Sequence, residues 1–157
     1  MHDYRKATNA EMPQLADLRW RLHVDDAPIN NRAAYNRFIV EFLEVHKAEW
    51  KPNEIVHWVA VDSDRVVTVI SVTIVRKMPR PGDLRARWGY LSNVHALPEV
   101  RNQGVGGRWL TVIKSWATAE NLELLVVWPS DQAYPSYERA GFSRHADPLV
   151  LKLARPS

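Results

Sequence analysis

Hydrophobic spacing switches period repeatedly along this chain, and that switching confines it to mixed helix–sheet folds. Up to residue 49, apolar side chains recur every three or four positions: Met12, Leu15, Leu18 and Leu22, then Tyr35, Phe38, Phe42 and Val45. The spacing predicts two helices, the second over about 32–49. Thr8 with Glu11 three residues later is a capping-box pattern for the first helix, and residues 4–7 before it read as a short strand. Between 55 and 75 the helical period gives way to two β-branched runs separated by Asp62, Ser63 and Asp64, the pattern of an antiparallel hairpin. Helical spacing returns at Val105, Trp109, Val112, Trp116 and Ala119, between strand candidates at 88–96 and 122–127. Such a strand–helix–strand unit needs parallel strands. A short helix before Gly141 and a last strand near 149–153 complete the chain. The expected fold class is α/β (α+β), with a mixed, mostly antiparallel sheet of about six to seven strands and about four helices.

A length of 157 residues suits one domain spanning 1–157. Cysteine is absent, which removes disulfides, thiolate metal sites and a thiol nucleophile. The six His show no close paired spacing, so no metal is expected. Lys and Arg exceed Asp and Glu by 21 to 18, an excess that suits an anionic small ligand as well as nucleic acid. The longest apolar run, residues 66–75, falls short of the roughly 20 residues a membrane helix needs. The first ten residues carry charges and no apolar stretch, so they do not read as a secretory signal. A cytoplasmic protein with no membrane partner is expected.

Residues 101–107 read RNQGVGG, directly between a strand and an amphipathic helix. Glycines at 104, 106 and 107 let a ligand approach the backbone closely. The first amides of the helix lack intrahelical acceptors, and the helix dipole favours negative charge there. The combination suits a phosphate or diphosphate, with Arg101 and Arg108 beside it. Taken alone, the cluster reads equally as a tight turn without a ligand. It is not a P-loop, which needs Lys and then Ser or Thr where Arg108 and Trp109 stand. Nor is it a dinucleotide fingerprint, because its pattern is GxGG and it lies in the second half of the chain.

Arg101, Gly104 and Gly106 resemble the R/Q-x-x-G-x-G/A diphosphate loop of the GNAT superfamily, the acyl-CoA-dependent N-acyltransferases. About 35 residues downstream, AYPSYERAGF is similar to that family's second signature, in which Tyr and Glu precede Gly-Phe. The resemblance implies that the two parallel strands splay apart and that the pantetheine arm of acetyl-CoA lies between them like an added strand. It implies main-chain bonds from Val94, His95 and Ala96, which would also polarise the thioester carbonyl. It implies a diphosphate grip by Arg101, Asn102, Gln103, Gly104, Val105, Gly106 and Gly107, through backbone amides over 103–107. Ser130 stands where many relatives carry an Asn against the cofactor arm. Tyr137 matches the usual general acid, and a phenol near pKa ~10 can protonate a thiolate near ~8.5 with modest tuning.

The acceptor side is less specified. An amine must be neutral to attack, and His95 is the candidate base, with a strand His facing the other side as the alternative. Asp25, Asp26, Glu41 and Glu44 lie where relatives build the acceptor pocket, although solvated helix faces explain them as well. Trp109 and Trp116 read as core, and Trp128 as a wall of the acceptor site. The leading expectation is acetyl transfer from acetyl-CoA to a primary amine of a small molecule or peptide, by direct attack in a ternary complex. One alternative is a non-catalytic acyl-CoA-binding or sensing module. The less favoured one is nucleic-acid association through residues 76–87, where Arg76, Lys77, Arg80, Arg85 and Arg87 oppose only Asp83. Relatives of this kind often dimerise, so a homodimer is also an expectation.

Overall fold

The computed structural model describes residues 2–24, 30–145 and 147–155. The chain begins with strand β1 (Asp3–Lys6) and a single 3-10 turn (Asn9–Glu11), then helix α1 (Met12–His23). The Glu11 carboxylate reaches back to the Thr8 amide at 2.7 Å, as the capping pattern predicts. The same carboxylate accepts from the Arg5 guanidinium at 2.9 Å, so β1 and the start of α1 are clamped together. That hydrogen bond, ahead of the opposing effect of burial, lowers the Glu11 pKa.

Helix α2 (Arg32–Glu49) opens on Asn31, whose side chain accepts from the Ala34 amide at 3.0 Å. Its aromatic stripe packs on α1: the Trp20 ring meets Tyr35 and Phe38 at 5.6 Å each, and Phe38 meets Phe42 at 5.9 Å. Val45, expected on that stripe, is 42% exposed; Leu43 packs against the core in its stead.

Strands β2 (Ile55–Asp62), β3 (Arg65–Arg76) and β4 (Arg87–Ala96) follow, then α3 (Val105–Ala119), β5 (Leu125–Val127) and α4 (Tyr134–Arg139). The sheet order is β1-β2-β3-β4-β5, antiparallel except for the parallel β4–β5 pair. Successive strand residues point to opposite faces. Trp58 meets Trp109 and Trp116 of α3 on one face, while its neighbour His57 meets His46 of α2 on the other. Trp109 is 1% exposed, and its indole N–H donates to Thr68 Oγ1 of β3. That bond fixes how α3 sits on the sheet.

Five strands are present among the described residues, fewer than the six to seven expected. The segment 149–153 is no strand: Leu149 is fully exposed and Leu151 is 82% exposed. An apolar run becomes a strand only when an edge pairs with it, and β5 pairs over three residues on its β4 side alone. For the same reason β5 is shorter than the expected 122–127 and only half-buried.

Candidate active site

The sheet is continuous on one side of β4 and broken on the other. Against β3, β4 pairs from Arg87 through to Ala96; against β5, it pairs only at Gly89, Tyr90 and Leu91. A Cβ at Gly89 would stand 2.7 Å from Leu125 Cδ2 and 3.0 Å from Val72 Cγ1, so a larger residue there would have to push those side chains aside. Beyond Leu91 no strand among the described residues lies beside the β5-facing edge of β4, which is the opening the family resemblance implies.

The expected main-chain contributors lie along that opening with different roles open to them. The Leu97 N–H donates to the Val67 carbonyl at 2.9 Å, so alternation turns the His95 main chain toward β3 and the Ala96 main chain toward the opening. The Ala96 carbonyl already accepts from Arg101 Nε at 2.8 Å, tying the loop to the end of the strand. Val94 is 40% exposed. The His95 side chain lies opposite Val69 and is 7% exposed. Its register puts it on the His57 face, away from α3.

The loop from Arg101 to Gly104 bends through two positive-φ residues, Asn102 at 62° and Gly104 at 74°. Arg108 N–H is the first amide of α3 bonded within the helix, to the Gly104 carbonyl at 3.4 Å. The amides of Val105, Gly106 and Gly107 are therefore left for another acceptor. Val105 is buried and anchors the turn, while a Cβ at Gly104, Gly106 or Gly107 would meet nothing within 4 Å. The loop thus offers bare amides under open space, which fits a diphosphate. Gln103 folds back, its amide donating to the Glu99 carbonyl at 2.7 Å, so its side chain serves the loop.

A cleft of about 650 Å³ continues from Gly107 along α3 and against α4, lined by Lys114, Ser115, Thr118, Ser136 and Arg139 among others. Sequence reasoning missed its two cations. The signal available was the polar row Thr111, Lys114, Ser115 and Thr118 on the face of α3 that bears Gly107.

Tyr137 sits on α4 behind Pro135 in the first turn, with Gly141 closing the segment at φ 102°. The ring is 7% exposed and packs edge-on against Phe142 at 5.4 Å. Burial raises the phenol pKa, so the group holds its proton at neutral pH. Among the described residues its hydroxyl makes no hydrogen bond. Ser130 is exposed just past β5, where its carbonyl accepts from the Ala133 amide at 2.9 Å.

On the opposite face the strands bring together groups that sequence spacing keeps apart. His57 Nδ1 lies 2.7 Å from Ser71 Oγ, which also accepts from Asn93 Nδ2 at 3.1 Å. Burial first, and the nearby His46 second, lower the His57 pKa to about 4, so the ring is neutral at pH 7. Glu41 and Glu44 are exposed, and Asp25 and Asp26 lie outside the described residues. Trp128 is 62% exposed, with its ring 5.1 Å from Tyr90. Part of the basic 76–87 segment is tied down locally. Lys77 and Arg80 pair with Glu123 at 2.8 and 3.0 Å, and Arg87 donates to the Glu120 carbonyl at 2.5 Å. No group of three or more metal-ligating side chains occurs among the described residues, and no helix there is long and apolar enough to cross a membrane.

No curated protein matches the chain in sequence. Among solved structures, a predicted acetyltransferase with acetyl-CoA from Clostridium acetobutylicum is similar in fold, with TM-score 0.73 and 22% identity, covering 97% of this chain and 96% of that one. A Trypanosoma brucei acetyltransferase follows at TM-score 0.70 and 19% identity, covering 98% and 100%. The glucosamine-6-phosphate N-acetyltransferase of Arabidopsis thaliana has TM-score 0.69 and 15% identity, covering 98% and 99%. Residues 13–142, which hold α1 through α4 and the whole opening between β4 and β5, match the model of one family, and the chain belongs to it: the acetyltransferase (GNAT) family.

Proposed function

We propose that the protein transfers an acetyl group from acetyl-CoA to a primary amine of a small molecule or peptide by direct attack in a ternary complex. The observation that carries this reading is the break in the sheet beyond Leu91, with the unbonded amides of Val105, Gly106 and Gly107 at the adjoining helix start. Bound there, acetyl-CoA supplies a thioester-activated acetyl group. The amides at 105–107 hold its diphosphate, and Lys114 and Arg139 offer charge for the remaining phosphate. Arg101, Asn102 and Gln103 shape the loop, and Ser130 flanks the cofactor arm from the β5 side.

Main-chain groups at Val94 and Ala96 face the opening and receive the arm, while their amide dipoles polarise the thioester carbonyl. As the new C–N bond forms and the C–S bond breaks, the Tyr137 hydroxyl donates its proton to the departing sulfur. Burial raises its pKa, which keeps the phenol protonated before the C–S bond breaks and also makes it a weaker acid toward a thiolate near ~8.5 than a free phenol is. His95, on the face away from α3, takes the proton from the amine. The cofactor thus comes from the α3 face and the acceptor from the α2 face, and the two meet through the opening.

Calorimetry with coenzyme A, followed by thiol release from acetyl-CoA against a panel of amines, peptides and aminoglycosides, tests the proposal. Binding with amine-dependent thiol release supports it. Binding without release for any acceptor leaves a sensing module, and no binding removes the reading. Replacing His95 by Gln is expected to lower kcat/KM about ten-fold and abolish the acid limb of its pH profile; an unchanged profile removes His95 as the base.

A further inference from the structure

β4 carries an irregularity at the place where it leaves β5. Three steps along β4, from Ser92 to His95, lie opposite two along β3, from Ser71 to Val69. The extra residue makes a bulge, and Asn93 within it has φ 52°. Left-handed backbone is uncommon outside glycine and is kept where the surroundings over-determine it. Here the surroundings are a row of side chains crossing three strands. Asn93 Nδ2 donates to Ser71 Oγ at 3.1 Å. The Ser71 Oγ is also hydrogen-bonded to His57 Nδ1 at 2.7 Å, with the donor set by the imidazole tautomer. The His57 ring is held in turn by His46 of α2 and by Trp50 just past its end, at 5.5 and 5.6 Å. Ser71 is 1% and His57 7% exposed, so water does not compete for these bonds.

The row begins at α2 and ends at the residue before Val94, whose main chain faces the opening. We infer that His57, Ser71 and Asn93 form a positioning row that fixes the β4 bulge and thereby aims the main-chain groups of the opening at the acyl carbonyl. None of the three touches the reacting atoms. Asn93 is set by Ser71, and Ser71 by His57. The role rests on the acetyl-CoA reading, because the acyl carbonyl is the group the bulge is inferred to aim at, beyond what the arm contributes.

Coenzyme A and acetyl-CoA share the diphosphate and the arm and differ in the acyl group. The ratio of their dissociation constants therefore reports the acyl contact alone, because whatever a shifted main chain takes from the arm is common to both ligands. Calorimetry with both ligands on the wild type, Ser71→Ala and Asn93→Asp reads that ratio. Asn93→Asp keeps the size and the left-handed tolerance but loses the donor; should Ser71→Ala not fold, Asn93→Gly takes its place. In each variant acetyl-CoA is expected to lose about five-fold more in affinity than coenzyme A, the weight of one hydrogen bond. An unchanged ratio overturns the positioning role, and so does an equal loss for both ligands, which marks a purely structural row. If the wild type binds neither ligand, the acetyl-CoA reading itself falls; if it binds both and the ratio holds in the variants, only the positioning role falls.

Discussion

Strands β3 and β5 are both written as nearly uninterrupted apolar runs, yet they end in opposite circumstances. β3 pairs along both edges and is buried over seven consecutive residues, whereas β5 pairs over three residues on one edge and is only half-buried. The difference lies in their neighbours rather than in their side chains. Where β4 has strands on both sides the molecule builds stability; where it loses one, main-chain groups become free for a ligand. Changes on the broken side should therefore act on binding and turnover, and changes on the continuous side on stability, except along the His57–Ser71–Asn93 row that joins the two.

The largest expected effect falls on the broken side. Tyr137→Phe should cut turnover about 10²–10³-fold, with cofactor affinity and melting temperature nearly unchanged. Steady-state kinetics beside calorimetry decides this, and equal turnover reassigns the acid.

On the continuous side, His57 links stability to pH. Its pKa is about 4 in the fold against 6.5 in the unfolded chain, so below pH 6.5 the unfolded chain takes up a proton that the folded protein refuses. The contribution is complete above about pH 6.5 and shrinks as pH falls toward 4, by about 3 kcal/mol in all. Urea midpoints at pH 7.5 and 4.5 should show that loss in the wild type and a smaller one in His57→Gln. Titration of Glu11, common to both proteins, cancels in the difference.

Gly104→Val should weaken coenzyme A by about 10²-fold, because a branched side chain would enter the open space over the amides and φ 74° disfavours it. Retained affinity in calorimetry would show that the turn is structural. The smallest effect joins the two sides. Gly89→Ala drives a Cβ against Leu125 and should cost about 1 kcal/mol in a denaturation series while loosening β5.

Local rules read well from the chain. The ends of α2, the Glu11 contact with Thr8 and the glycine turn before α3 all follow from interactions within a few residues. What needed distant partners did not read. Ser92, Asn93, Val94 and His95 look like plain strand, because the bulge arises from Ser71 on another strand. His57 and Ser71 are 14 residues apart, and only the β2–β3 register makes them neighbours. Lys114 and Arg139 meet in one cleft only because α4 packs beside α3. The run near 149–153 misled because alternation predicts a strand without saying whether an edge awaits it.

Since the turn between the 3-10 segment Pro98–Val100 and α3 presents nitrogen atoms of the peptide chain itself, a side chain such as that of Gln103 can change and leave the grip intact, provided Gly104, Gly106 and Gly107 stay bare. Insertion is another matter: one additional residue between Arg101 and Val105 would rotate those nitrogens away from their common focus. The segment is thus strict in its glycines and in its length.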